Sequence, residues 1–136
     1  MKEAIKIKIE KIEEYLKILE LMEKDCEQKF SDPLFRGALL HYLYLTADSC
    51  ISLAEMIIKE RNFRTPQTYS EAIDILGENG IIPSDFAYNF ARIGGLRNFL
   101  AHDYEKVDMK RICKEVLRKI PDIKRYLSYL RNFISF

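Results

Sequence analysis

The sequence predicts an all-α protein, an antiparallel bundle of four to five helices, and three observations carry that prediction. Apolar residues recur at steps of three and four over two long stretches, 5–30 and 109–134, with charged residues between them. Only 5 Gly and 4 Pro interrupt 136 residues, and most of them stand where helices would start or stop. No strand-rich stretch, internal repeat or low-complexity tract is present. A chain of this length is the size of one core, so residues 1–136 are expected to form a single domain.

Within residues 2–30, Ile5, Ile9, Ile12, Leu16, Leu19, Met22, Cys26 and Phe30 fall on one helical face. Ile5, Ile7 and Ile9 also alternate as a strand would, but that pattern lapses while the helical one continues. Ser31-Asp32-Pro33 starts a second helix: the Asp32 carboxylate can accept from free backbone amides, and Pro33 suits the first turn. The run Leu34 to Ile58 is apolar on nearly every face and should be the enclosed central helix; Arg61 to Pro66 breaks it. Thr68-Tyr69-Ser70-Glu71 fits a capping box that opens a short helix through Leu76, closed by Gly77 and Gly80. Pro83 and Ser84 open a fourth helix towards His102, and a fifth starts near Asp108. The fifth carries an apolar stripe from Met109 to Ile134, with Lys106, Lys110, Lys114 and Arg118 spaced every four residues on another face. Pro121 lacks an amide hydrogen and crowds residue 117, so it should kink or split this last helix.

Composition narrows the function. With 48% hydrophobic and 32% charged residues the chain is globular and ordered, and its charge-rich make-up hints at a thermophilic source. Lys and Arg total 22 against 21 acids, so nothing in the whole marks a general nucleic-acid coat. Residues 106–136, however, carry nine basic and three acidic side chains, and a polyanion is expected there. Cys26, Cys50 and Cys113 are odd in number, lack CxxC spacing and lie among apolar neighbours, which predicts plain core thiols in a reducing compartment. No uninterrupted apolar run approaches the ~18 residues of a membrane span, and the Lys- and Glu-rich N-terminus is not a secretory signal. A cytoplasmic protein without a membrane partner is expected.

The fourth helix has a seam of small residues that ends in polar ones: Ala87, Ala91, Gly95, Asn98 and His102, with Gly94 beside them. Two mid-helix glycines each cost ~1 kcal/mol relative to alanine, which close helix contact would offset. An intramolecular crossing would serve, but a two-fold dimer in which this helix meets its own copy is preferred. The seam runs into Arg97-Asn98-Phe99-Leu100-Ala101-His102-Asp103-Tyr104. Five residues at ~100° each turn Arg97 and His102 ~140° apart on an unbroken helix. Either the helix loosens before His102, or Arg and His of different chains form one site. Such residues suit RNA cleavage: a guanidinium grips a phosphate through paired hydrogen bonds, and an imidazole takes a proton from the ribose 2′-hydroxyl or gives one to the departing 5′-oxygen. Asn98 could orient either imidazole or substrate.

Arg97-x4-His102-x-Tyr104, with Asn98 directly after the Arg, resembles the signature of the HEPN superfamily and more closely its HepT-like branch of small prokaryotic toxins. The likeness extends to the long first helix, the apolar second helix with Asp48, the short helix with Tyr69 and the basic last helix. The resemblance implies an all-α dimer and a metal-independent endoribonuclease in a type VII-like toxin–antitoxin pair, with Arg97 and His102 catalytic and Asn98 supporting them. It also implies a partner, a minimal nucleotidyltransferase antitoxin that silences the toxin by attaching AMP to the motif tyrosine, here Tyr104. No cofactor is implied. The alternative is a catalytically silent nucleotide-binding or assembly subunit that partners such a nucleotidyltransferase.

Several residues have plainer readings. His41 stands on the apolar helix and reads as a hydrogen-bonded core histidine rather than a second base. Asp48, on the same helix, should be bonded to an Arg or to helix-end amides, and a structural partner is favoured over a role in holding Arg97. Arg97 itself could pair with Asp103 or Glu105. His102, Asp103, Glu105 and Asp108 fit no zinc or calcium spacing, so no metal is expected. Lys106, Lys110, Lys114 and Arg118 are candidate RNA backbone contacts because they adjoin the motif. The other tyrosines, Tyr44 and Tyr69 among them, read as core-edge aromatics.

Overall fold

The computed structural model describes residues 2–135, which form helices and no strand. Helix α1 (Lys2–Glu23) and helix α3 (Pro33–Arg61) make a long antiparallel hairpin, joined by a one-turn helix α2 (Cys26–Lys29). The first amphipathic stretch therefore stops at Glu23 instead of running to residue 30, and the break turns Cys26 inward. Asp32 Oδ1 accepts from the Leu34 amide at 2.9 Å and starts α3 as its sequence predicts; Asn62 ends it in the left-handed conformation, at φ 56°.

Helix α4 (Tyr69–Glu78) is held at its start by Thr68, whose hydroxyl accepts from the Glu71 amide at 3.0 Å, while Glu71 reaches back to the Gln67 amide at 2.8 Å. It runs through Gly77 instead of closing there: a Cβ at that position would sit 2.5 Å from that of Ala87, so the glycine serves the close approach of Ala87, and Gly80, at φ 71°, marks the turn beyond the helix. The expected fourth helix is two: α5 (Ser84–Phe90) and α6 (Ile93–His102), separated at Ala91-Arg92. The break lets Gly94 press onto α4, where a Cβ would come within 2.5 Å of the Ser70 nitrogen and hydroxyl. Helix α6 lies against α3 and α4.

A 3₁₀ turn (Tyr104–Lys106) leads to a last segment in four pieces: α7 (Met109–Arg111), a π-type turn (Ile112–Val116), a 3₁₀ turn (Leu117–Lys119) and α8 (Ile120–Ile134). Pro121 stands in the first turn of α8, so the split it predicts falls just upstream of it. Helix α8 packs on α1, with Arg131 on Glu13 at 2.6 Å and Lys124 on Glu20 at 2.9 Å at its edge. The Tyr126 ring is fully buried and its hydroxyl donates to the Cys50 carbonyl at 2.8 Å.

The cysteine expectation is corrected. Cys26 and Cys113 form a disulfide, with Cα atoms 5.6 Å apart across 87 residues of sequence, and only Cys50 is a free, buried thiol. Helix α2 and the π-type turn are both too short to hold a position by themselves, and the bond staples one to the other.

Candidate functional site

Helix α3 supplies one wall of the candidate site. Gly37, His41, Tyr44 and Asp48 follow one another at steps of four, three and four, so they share a face, and that face is opposite α6. Arg97, in the middle of α6, reaches across to it. Its Nε donates to Asp48 Oδ1 at 3.0 Å, its Nη2 donates to the Tyr44 hydroxyl at 3.3 Å, and its Nη1 to Asn98 Oδ1 at 3.4 Å. The Tyr69 ring, at the first turn of α4, lies under the guanidinium with its centroid 4.5 Å from the central carbon. The Arg97 side chain is only 16% exposed. Burial works against its charge, but the Asp48 hydrogen bond and the neighbouring Tyr44 and Tyr69 outweigh it and hold the group more firmly protonated than a free arginine.

Two of the five guanidinium N–H groups, one on each terminal nitrogen, have no protein acceptor among the described residues. An arginine fixed on three sides with two donors spare is pre-set for a bidentate anion such as a phosphate. Asp48 thus holds Arg97 instead of a purely structural partner, and neither Asp103 nor Glu105 competes for it. Its carboxylate is 40% exposed rather than enclosed, which removes much of the cost of charge at that position. Glu55, two turns further along α3, feels the same pair: partial burial and the Asp48 carboxylate raise its carboxyl above the usual range, and Arg97 opposes them.

His102 is the last residue of α6 and is exposed, as are Gly95 and Asn98 before it. The helix is unbroken between Arg97 and His102, so it does not loosen to bring them together; the ~140° between them stands within one chain. The small-residue seam divides accordingly. Ala87 and Gly94 serve crossings inside the chain, whereas a Cβ on Gly95 would meet nothing within 4 Å, and Phe99 beside it is 39% exposed. Tyr104 follows on the 3₁₀ turn with 55% of its surface open.

An open groove of about 1310 Å³ runs between α6 and the last segment, with Gly95 and Phe99 on one wall. Lys106, Lys114 and Arg118 line the other, joined by Arg111, Lys119 and Arg125; Lys110 is exposed but outside the groove. The four-residue spacing assumed a regular helix, and the π-type and 3₁₀ turns rotate the register away from it.

His41 is corrected as well. It is exposed, not in the core, and its ring meets Tyr42 edge-on at 5.7 Å between centroids. Tyr44 and Tyr69, expected only as core-edge aromatics, both contact Arg97. Tyr44 is findable in the sequence, four residues before Asp48 on one helix face; Tyr69 is not, because only the fold brings α4 beside α6.

The family model described as Ribonuclease HepT-like matches residues 5–130. The mRNA nuclease HepT of Shewanella oneidensis is 22% identical over 131 residues, which cover 96% of this chain and 98% of that protein. The fold is similar to a solved structure described as the tri-AMPylated Shewanella oneidensis HEPN toxin in complex with the MNT antitoxin, with a TM-score of 0.85 and 22% identity over 97% of this chain and 99% of that one. It is also similar to the cytosolic protein YutE from Bacillus subtilis, with a TM-score of 0.72 and 16% identity over 92% of this chain and 89% of that one. The match takes in the Arg97-x4-His102 helix and the α3 residues that hold the arginine, and the chain belongs to the HepT-like ribonuclease family.

Proposed function

We propose that the protein is the ribonuclease toxin of a type VII-like toxin–antitoxin pair and that it cleaves RNA without a metal, as a two-fold dimer. The observation that carries this reading is Arg97, pinned by Asp48, Tyr44 and Asn98 with two donors spare, on an unbroken helix whose His102 points elsewhere. A second copy joined along Gly95, Asn98, Phe99 and His102 supplies the missing imidazole to each arginine.

In the composite site Arg97 binds the scissile phosphate and stabilises the charge that builds on its free oxygens. His102 accepts the 2′-hydroxyl proton as the 2′-oxygen bonds to phosphorus, and the bond from phosphorus to the 5′-oxygen breaks with that oxygen taking its proton from water. One fragment ends in a 2′,3′-cyclic phosphate and the other in a 5′-hydroxyl. Lys106, Lys114 and Arg118 on the groove wall, with Lys110 outside it, steer the RNA backbone.

Silencing follows from the place of Tyr104. A minimal nucleotidyltransferase joins the Tyr104 oxygen to the α-phosphorus of ATP and releases pyrophosphate and the phenol proton, which leaves an anion near Arg97. The related Shewanella oneidensis toxin is described as tri-AMPylated and bound to its MNT antitoxin, which supports the modification and the partner here. A cellular RNA substrate supports a cytoplasmic location, and the Cys26–Cys113 bond is compatible with it in the way of the disulfide-bearing intracellular proteins of hyperthermophiles.

The test is to incubate unmodified protein with RNA in EDTA beside Arg97→Ala and His102→Ala. Wild type is expected to leave cyclic phosphate ends and both variants to leave RNA whole. Intact RNA with unmodified wild type would mean a binding or assembly subunit instead.

A further inference from the structure

A second, smaller cavity of about 340 Å³ adjoins the Arg97 cluster, between the first turns of α3 and the end of α6. Leu40, Leu100 and Ala101 give it apolar walls, and Gly37, His41, Tyr44 and Tyr104 complete it. Gly37 is the unexplained part. Glycine is a poor residue inside a helix, yet a Cβ there would meet nothing within 4 Å, so packing within this chain does not account for it. Its missing side chain keeps the cavity open. Around that opening stand three rings with polar edges: the His41 imidazole, exposed and away from the core, and the phenols of Tyr44 and Tyr104. Tyr44 belongs to both places, since its hydroxyl accepts from Arg97 Nη2 at 3.3 Å.

We propose that this cavity is a nucleobase site, taking one unpaired base of a nucleotide whose phosphate lies at Arg97. It deepens the ribonuclease reading and rests on it for the phosphate position. Aromatic faces bind any base by stacking, and the polar edges of His41 and the tyrosines discriminate among them. The volume is at the small end for ligand pockets, which suits one nucleoside and not a base pair. The base has two sources, the RNA strand at the cut or a nucleotide carried on Tyr104 itself.

The probes are 5′-AMP, 5′-CMP and ribose 5-phosphate, titrated in EDTA into the unmodified protein while the imidazole resonances of His41 and His102 are followed by NMR. Saturable shifts of His41 are expected with both nucleotides, and binding at least tenfold weaker with ribose 5-phosphate. Equal affinity for ribose 5-phosphate, or shifts confined to His102, would overturn the site. Gly37→Leu, which fills the opening, should remove the preference for nucleotides; His41→Ala, read by calorimetry, should weaken AMP binding about tenfold and serves if the first variant fails to fold. Unchanged nucleotide affinity in a folded variant of either kind counts against the site. Protein adenylylated at Tyr104 separates the sources. His41 resonances already in their bound positions assign the site to the tethered adenine, and free positions that move on adding AMP assign it to RNA. RNA left uncut overturns the ribonuclease reading alone, because the titration contains no cleavage step.

Discussion

Arg97 reaches from α6 to α3 and has its charge divided among Asp48, Tyr44, Asn98 and the Tyr69 ring. Removing one holder should misplace the guanidinium rather than delete it. Asp48→Asn is expected to lower kcat about 10- to 100-fold with KM little changed, because small misplacements of a charge-stabilising group are costly. Single-turnover kinetics on the dimeric variant check this. Glu55 makes a second prediction. A carboxyl raised in the folded state binds its proton more tightly there, so the stability deficit is absent below the unfolded value near 4.5 and is fully present above the folded one. Glu55→Gln should therefore raise the thermal midpoint at pH 7 and leave it unchanged near pH 3.5, and the opposite pattern would show that Arg97 dominates at that carboxylate.

Helix α6 carries adjacent glycines with opposite duties. Gly94 lets the helix touch the Ser70 backbone, and backbone does not yield as a flexible side chain does. Gly94→Ala is expected to cost about 1–3 kcal/mol by overpacking, measured by urea unfolding. Gly95 faces open space in the single chain, so Gly95→Ala should stabilise each folded subunit by about 0.5–1 kcal/mol through the unfolded chain's lost freedom. Gly95→Leu, by contrast, places bulk on the proposed two-fold contact. Light scattering should find it monomeric, and an intact dimer would move the interface elsewhere.

In the proposed two-fold dimer, assembly decides whether the site is complete. When inactive Arg97→Ala and His102→Ala proteins are mixed and allowed to exchange, each mixed dimer regains one complete Arg and His pair if the site spans two chains. Activity should return to about a quarter of wild type, since half the dimers are mixed and each has one of two sites. A site within one chain would give no recovery. The disulfide acts on the whole molecule in another way. It closes 87 residues of sequence, and its reduction or Cys26→Ser should lower stability by about 2–4 kcal/mol, seen as an earlier urea midpoint. The groove wall around Ile112–Val116 should exchange its amides faster in the reduced protein.

The helical class, the start of α3 at Asp32, the capping of α4 and the Arg97-x4-His102-x-Tyr104 motif were all legible in the amino-acid order, because each depends on residues within a turn or two of one another. Asp48 was legible as a charge needing a partner, but the partner lies 49 positions away and only the packing of α6 on α3 selects it. The same holds for Tyr69 under the guanidinium and for Cys26 bonded to Cys113, which local surroundings marked as a plain thiol. His41 was not legible because an apolar run does not show which of its faces is left uncovered, and α3 leaves one face open opposite the end of α6. Periodicity determines that a helix has faces; which face meets water, a neighbour or a ligand is set by where the other helices come to rest.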